Sequence, residues 1–209
     1  MIGDDGAEAD GEEGLAFLDR WMVLARTIQN KKLVTKRAID AGAGVGRVTK
    51  LVLLKRYDTV RLVEADPNWS RRSQVYLGRK RSKGCTFVCS RLEDIQPQTV
   101  IAWGEPADVV WLQWTLQYLT DQDAIRTLKS LASSLVIGTG VLIVKENRPY
   151  APARLDRFSM DTPDGPNERY DLTRTDMHHR LLFQKAGLIV DLNEMGVETN
   201  TYALVLNSE

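Results

Sequence analysis

Three glycines spaced two apart, Gly42, Gly44 and Gly46, follow Asp40 and lead into Arg47. Glycine lets a chain turn sharply and lets a ligand approach backbone that no Cβ shields. Lys36 to Ala41 reads as a short strand, and Arg47 to Arg56 reads as a helix with Val48, Leu51 and Val52 on one face. The glycines therefore sit where a strand hands over to a helix, which in an open α/β sheet is the edge where ligands bind. Their spacing is G-x-G-x-G, not the G-x-G-x-x-G that seats a pyrophosphate. Arg47, at the helix start, suits a ligand carboxylate, helped by the helix dipole. Glu64 closes a second strand, Thr59 to Glu64, roughly 20 residues past the loop, where a carboxylate accepts both hydroxyls of a ribose. Leu92 and Glu93 follow a third strand, Cys85 to Cys89, where an adenine would lie. Glycines alone also make a ligand-free turn. Together with Arg47 and Glu64 they fit a carboxylate, a ribose and an adenine without phosphate, the parts of S-adenosylmethionine (SAM).

These residues need a scaffold of alternating strands and helices. Asp66 and Pro67 form a helix start after Glu64. Ala107 to Leu112 is an apolar fourth strand of the kind buried on both faces. Thr120 to Asp123 is a capping box for a helix carrying Ile125, Leu128, Ala132 and Leu135, which Gly138 is expected to end. Val141 to Lys145 is a fifth strand. Asn147 to Leu172 holds four prolines and no clear period, so it reads as a long loop, usually a functional feature. Thr173 to Asp176 caps a last helix that stops at Gly187, and Leu188 to Asn193 and Thr201 to Leu206 are closing strands. The expected fold is α/β: a Rossmann-like, mostly parallel seven-stranded sheet, helices on both faces, and a C-terminal antiparallel hairpin.

The 209 residues suit one such domain over 15–209. Met1 to Gly14 is rich in Gly, Asp and Glu and reads as a flexible acidic tail, with the first helix starting near Leu15. Lys+Arg and Asp+Glu are each 28, so no bulk charge draws the chain to nucleic acid or a membrane. No apolar run approaches the ~18 residues of a membrane span.

Four segments narrow the family: Asp40 to Lys50 (DAGAGVGRVTK), Trp111 to Asp121 (WLQWTLQYLTD), Ile143 to Asn147 (IVKEN) and Leu172 to Thr175 (LTRT). They resemble the α-N-terminal protein methyltransferases, class I SAM-dependent enzymes that methylate the free α-amine of proteins beginning Xaa-Pro-Lys. The resemblance implies SAM as methyl donor, S-adenosyl-L-homocysteine as product and protein N-termini as substrates. It implies that Gly42, Gly44, Arg47, Glu64, Ala65, Asp66, Leu92, Glu93 and Gln113 hold the cofactor. Trp114 would wall the peptide channel, Asn147 would hold the substrate's amino end, and Glu146 stands at an acidic position suited to a substrate lysine. Two positions depart from the pattern. Tyr118 occupies the place of a histidine proton acceptor. Arg169 aligns with a catalytic aspartate, so Asp171, or Asp164 in the loop, is the replacement to expect. The family's segment ahead of its first helix finds no match, which implies either a longer chain or a more open site. A monomer in the cytoplasm and nucleus is the expectation for assembly and location.

Other chemistry-bearing residues have plainer readings. Cys85 and Cys89 would lie ~13 Å apart along a strand, too far for a disulfide, and read as buried thiols. Trp21, Trp69, Trp103 and Trp111 read as core or boundary aromatics, and His178 and His179 as solvated or partly packed. No Cys/His spacing suggests a metal. Arg71, Arg72, Arg79, Lys80, Arg81 and Lys83 read as a solvated face, with an RNA contact as the alternative.

Overall fold

A computed structural model describes residues 4–149, 155–161, 169–196 and 198–207. The chain runs α1 (Asp4–Thr27), β1 (Arg37–Ala41), α2 (Arg47–Leu51), β2 (Thr59–Glu64), α3 (Pro67–Arg81), β3 (Cys85–Cys89), α4 (Pro97–Ile101) and β4 (Val109–Gln113). It continues through α5 (Asp121–Ala132), β5 (Val141–Asn147), β6 (Arg157–Asp161), β7 (Arg169–Thr173), α6 (Asp176–Lys185), β8 (Leu188–Met195) and β9 (Thr199–Leu206). Seven strands form one sheet in the order β3-β2-β1-β4-β5-β9-β8. The first five are parallel, and β9 is antiparallel to both β5 and β8. This is the expected sheet with its closing hairpin.

Apolar side chains pack on both faces. Phe17, Leu18 and Trp21 of α1 and Leu77 of α3 meet Leu62, Trp111 and Ile143 on one side. Val100 of α4, Leu128 of α5 and Leu182 of α6 meet Leu112, Val144 and Tyr202 on the other. Local signals agree: Asp66 accepts the Asn68 N–H as the cap of α3, and Thr120 and Thr175 cap α5 and α6.

Three expectations need correction. Residues 4–14, read as part of a flexible acidic tail, are helical, because α1 begins at Asp4. Gly11 and Gly14 are contact points. A Cβ on Gly11 would come within 2.7 Å of the Leu51 Cβ, so only glycine lets α1 sit this close to α2. Its acids are engaged, since Asp10 and Glu13 both pair with Lys145. Second, the stretch read as a loop carries a two-stranded ribbon, β6 paired antiparallel with β7. Both strands alternate polar and apolar residues, Arg157-Phe158-Ser159-Met160-Asp161 and Arg169-Tyr170-Asp171-Leu172-Thr173, a short period-2 signal outweighed in the reading by the four prolines of the stretch. Third, α5 stops at Ala132, before the expected Gly138.

Candidate active site

The carboxyl ends of β1, β2 and β4 converge on the glycine loop. The N–H groups of Gly42 and Ala43 both donate to the Val63 carbonyl, at 2.9 and 3.0 Å, lashing the loop across β2. Glu64 holds it from the other side: Oε2 accepts from Gly44 N at 2.8 Å and Oε1 from Asp66 N at 2.9 Å. Each carboxylate oxygen has a second lone pair for a diol. No atom lies within 4 Å of where a Gly44 Cβ would be, so the loop faces open space. Gly42 is different. It has φ +77°, and a Cβ there would meet Thr115 Oγ1 at 2.5 Å. Buried Asp40 ties β1 to α2 by accepting from Thr49 N (3.0 Å) and Thr49 Oγ1 (2.6 Å). Burial pushes its carboxyl up to about 6, against the pull of those two bonds.

Arg47 opens α2 with its guanidinium 4.9 Å from the centre of the Trp114 ring. Trp114 has φ 52°, a conformation that costs a bulky side chain strain and that gathers at functional sites. Its indole Nε1 is buried with no hydrogen-bond partner among the described residues. Gln113, the last residue of β4, accepts from Trp111 Nε1 (3.1 Å) and donates to Asp10 Oδ2 (2.8 Å). Leu92 is buried just past β3, Glu93 pairs with Arg91, and Ala65 is exposed. The Asp66 carboxylate is occupied by its helix cap.

Beyond the end of β5, a cavity of about 220 Å³ is bordered by Asn147, Arg148, Arg157, Ser159, Asp171 and Glu198. Asn147 and Asp171 therefore meet at one cavity, although 24 residues separate them in sequence and the intervening stretch was read as a loop. Asn147 Nδ2 donates to Gln117 Oε1 at 3.0 Å. Tyr118 is exposed on a 3-10 turn, Leu116–Tyr118, that packs against β7. It neighbours the cavity without lining it. Asp164 and the Arg169 side chain lie outside the described residues.

Glu146 departs from its expected place. Only 1% exposed, it faces inward: Oε1 accepts from Thr115 N (2.8 Å) and Leu116 N (2.7 Å). The turn's backbone donors take the carboxylate that the resemblance would offer to a substrate lysine. Burial pushes its carboxyl up to about 7, with those N–H groups and Arg174 opposing.

Two residues the sequence did not single out build the same turn and edge. Arg174 is fully buried, donating to the Leu116 and Leu119 carbonyls, each at 2.7 Å, and to Asp121. The Lys145 ammonium, 1% exposed, reaches Asp10 at 2.8 Å and Glu13 at 2.7 Å. Both lie inside the quoted LTRT and IVKEN segments. An isolated cation there carries no signal of which distant carbonyl or carboxylate it meets. Of the two histidines, His178 is partly packed as expected, whereas His179 is fully buried. His178 bridges Asp156 (2.6 Å) and Asp121 (2.9 Å), and His179 is buried among Phe183 and Tyr202. Burial pushes His179 down to about 3. Cys89 is exposed rather than buried, and Cys85 is half-buried.

A family profile described as AdoMet-dependent proline di-methyltransferase matches residues 8–201. The chain belongs to that family. N-terminal Xaa-Pro-Lys N-methyltransferase 1 of Danio rerio is 36% identical over 119 residues, 57% of this chain and 51% of its own length. The Bos taurus protein of the same name is 31% identical over 158 residues, covering 75% of this chain and 66% of its own. The chain thus spans about half to two thirds of the length of these curated relatives. A solved SAM-dependent methyltransferase of Leishmania major superposes with TM-score 0.71 at 27% identity, over 96% of this chain and 73% of that one. The fold is that of the class I SAM-dependent methyltransferases. The loop fits the family's cofactor: glycine backbone facing open space, a carboxylate at the end of β2 and a cation at the start of α2.

Proposed function

We propose that the protein transfers a methyl group from SAM to the α-amine of protein N-termini of the Xaa-Pro-Lys type. The observation that carries this reading is the meeting of Asn147 and Asp171 at one cavity on the carboxyl edge that also bears the glycine loop. Gly42, Gly44, Arg47, Glu64, Leu92, Glu93 and Gln113 hold the cofactor, with Ala65 and Asp66 contributing backbone. When bound, SAM would supply an electrophilic methyl on its sulfonium to the lone pair of the substrate amine, leaving as S-adenosyl-L-homocysteine.

The residues of the chain prepare the amine. A free α-amine has a pKa of about 7.7–8.0, so a modest acceptor makes it neutral. The Asn147 amide orients it without adding charge, and the Asp171 carboxylate takes up the proton directly or through water. The Tyr118 hydroxyl orients the peptide. The Trp114 ring, fixed by Arg47 and by its own backbone bond to the Lys145 carbonyl, walls the channel. Positioning of this sort supplies much of the rate in an in-line displacement. We further read the enzyme as a monomer of the cytoplasm and nucleus, which light scattering and a fluorescent fusion would check.

The test is incubation with SAM and an Xaa-Pro-Lys peptide, read by mass, beside the same peptide acetylated at its amine. Methylation of the free peptide alone is expected. SAM binding without any methylated peptide would sink the substrate assignment.

A further inference from the structure

The molecule carries a second, larger cavity, about 510 Å³, far from the chemistry just described. Lys50, Lys55, Lys80 and Arg81 border it, with Leu54 and Tyr57 as apolar lining and Asp58 as the single acid. Asp58 immediately precedes β2, and Gly84, also on its rim, immediately precedes β3. The cavity therefore opens at the amino ends of these strands, whereas Glu64 and the glycine loop lie at the carboxyl ends.

The charge there is unbalanced in a chain whose net charge is zero. None of the four cations forms a salt bridge among the described residues, although Arg20, Arg37, Arg56, Arg91, Arg126, Lys145, Arg174 and Arg180 all do. The Lys50 ammonium lies 3.9 Å from the centre of the Tyr76 ring, which steadies it without neutralising it. The cations also come from separate elements: α2, the turn at Leu53–Lys55, and the last turn of α3. That last turn is redirected by a kink at Gly78 (φ 73°, ψ 162°), so Lys80 and Arg81 do not continue the line of Arg71 and Arg72. A solvated basic helix face needs no kink and no concavity. Cations gathered around a hollow with an apolar lining suit an anion carried on a larger body.

We propose that this cavity binds a phosphate group, borne by a nucleotide or by an RNA backbone. Arg81 offers a planar fork to phosphate oxygens, and the three lysines act as point charges. The site is separate from methyl transfer, so the two can be tested apart.

The experiment measures binding of ADP and of a short single-stranded oligoribonucleotide to the full chain by calorimetry at low salt. Three proteins are compared: unaltered, Lys80→Glu/Arg81→Glu, and Arg71→Glu. Lys55→Glu serves as a second cavity variant should the double variant melt early. At least one probe is expected to bind, to weaken as salt rises, and to lose about tenfold or more in the cavity variants. The probe that binds names the source of the phosphate. Arg71→Glu should leave binding unchanged, and methylation of the peptide should proceed at the same rate in all variants. Failure of both probes to bind, or equal loss in Arg71→Glu, would overturn the proposal; the latter would show diffuse surface attraction.

Discussion

The two ends of the catalytic edge are held by different means. At the glycine loop of the cofactor end, Gln113 and its distant Asp10 partner apart, backbone N–H groups and one carboxylate do the holding, within short reach in sequence: Gly44 meets Glu64 across 20 residues. At the substrate end, side chains reach far along the chain. Arg174 crosses 58 residues to the Leu116 carbonyl, Glu146 crosses 31 to Thr115, and Lys145 crosses 135 to Asp10. The first arrangement is a property of one βαβ unit. The second exists only once the whole domain has folded. Damage to the cofactor end should therefore appear as lost SAM affinity, and damage to the substrate end as lost stability and lost peptide turnover.

Arg174→Met should give the largest effect. It leaves the Leu116 and Leu119 carbonyls without their buried donor, at about 1–3 kcal/mol for each unsatisfied group, and takes the guanidinium from half-exposed Asp121. Urea denaturation measures it; a loss near zero would mean that the Tyr118 turn holds itself, and the contrast would collapse.

Glu146→Gln should come next, as a change in pH dependence. The carboxyl is raised from 4.5 to about 7 by burial, so the folded state binds the extra proton between those values. Its contribution is present below pH 4.5 and is lost as pH rises through about 7. An amide keeps an acceptor for Thr115 and Leu116 and cannot ionise. The variant should gain on the order of 3 kcal/mol relative to the unaltered protein between low pH and pH 8. Asp40, raised to about 6, has the same sign and remains in both proteins. Parallel stability curves for the two proteins would contradict the assignment.

Gly42→Ala tests the cofactor end. A Cβ at φ +77° against Thr115 should displace the loop and cost about 1–2 kcal/mol in SAM binding, roughly 5–30-fold. Unchanged affinity in a titration would show that the loop tolerates the displacement. Tyr118→Phe should have the smallest effect, lowering kcat by no more than about tenfold, because an exposed hydroxyl that only orients the peptide is partly replaceable by water. A fall of about a thousandfold would instead make the hydroxyl the proton acceptor.

The same contrast explains what could be read from the residues alone. The sheet, the glycine loop and Glu64 were legible because each depends on local period and local turn chemistry. The helical state of residues 4–14 was not, because composition cannot show that Gly11 is a contact point or that Asp10 and Glu13 have a buried partner. The β6–β7 ribbon was legible in the alternation of RFSMD and RYDLT, and was missed because the prolines of that stretch pointed to a loop. Glu146 was placed correctly in sequence, yet its direction was invisible: the backbone of Thr115 and Leu116 claims it.

The Asp10 carboxylate spans two duties, with Oδ2 on the Gln113 amide and Oδ1 on the Lys145 ammonium. With Gln113 in the cofactor pocket as proposed, the first helix and the methyl donor become thermodynamically linked through that one group. Linkage is reciprocal. Whatever factor in SAM affinity is lost when α1 undocks must return as protection of α1 when SAM binds. The acidic opening of the chain would then report on cofactor occupancy, readable as slowed amide exchange along α1.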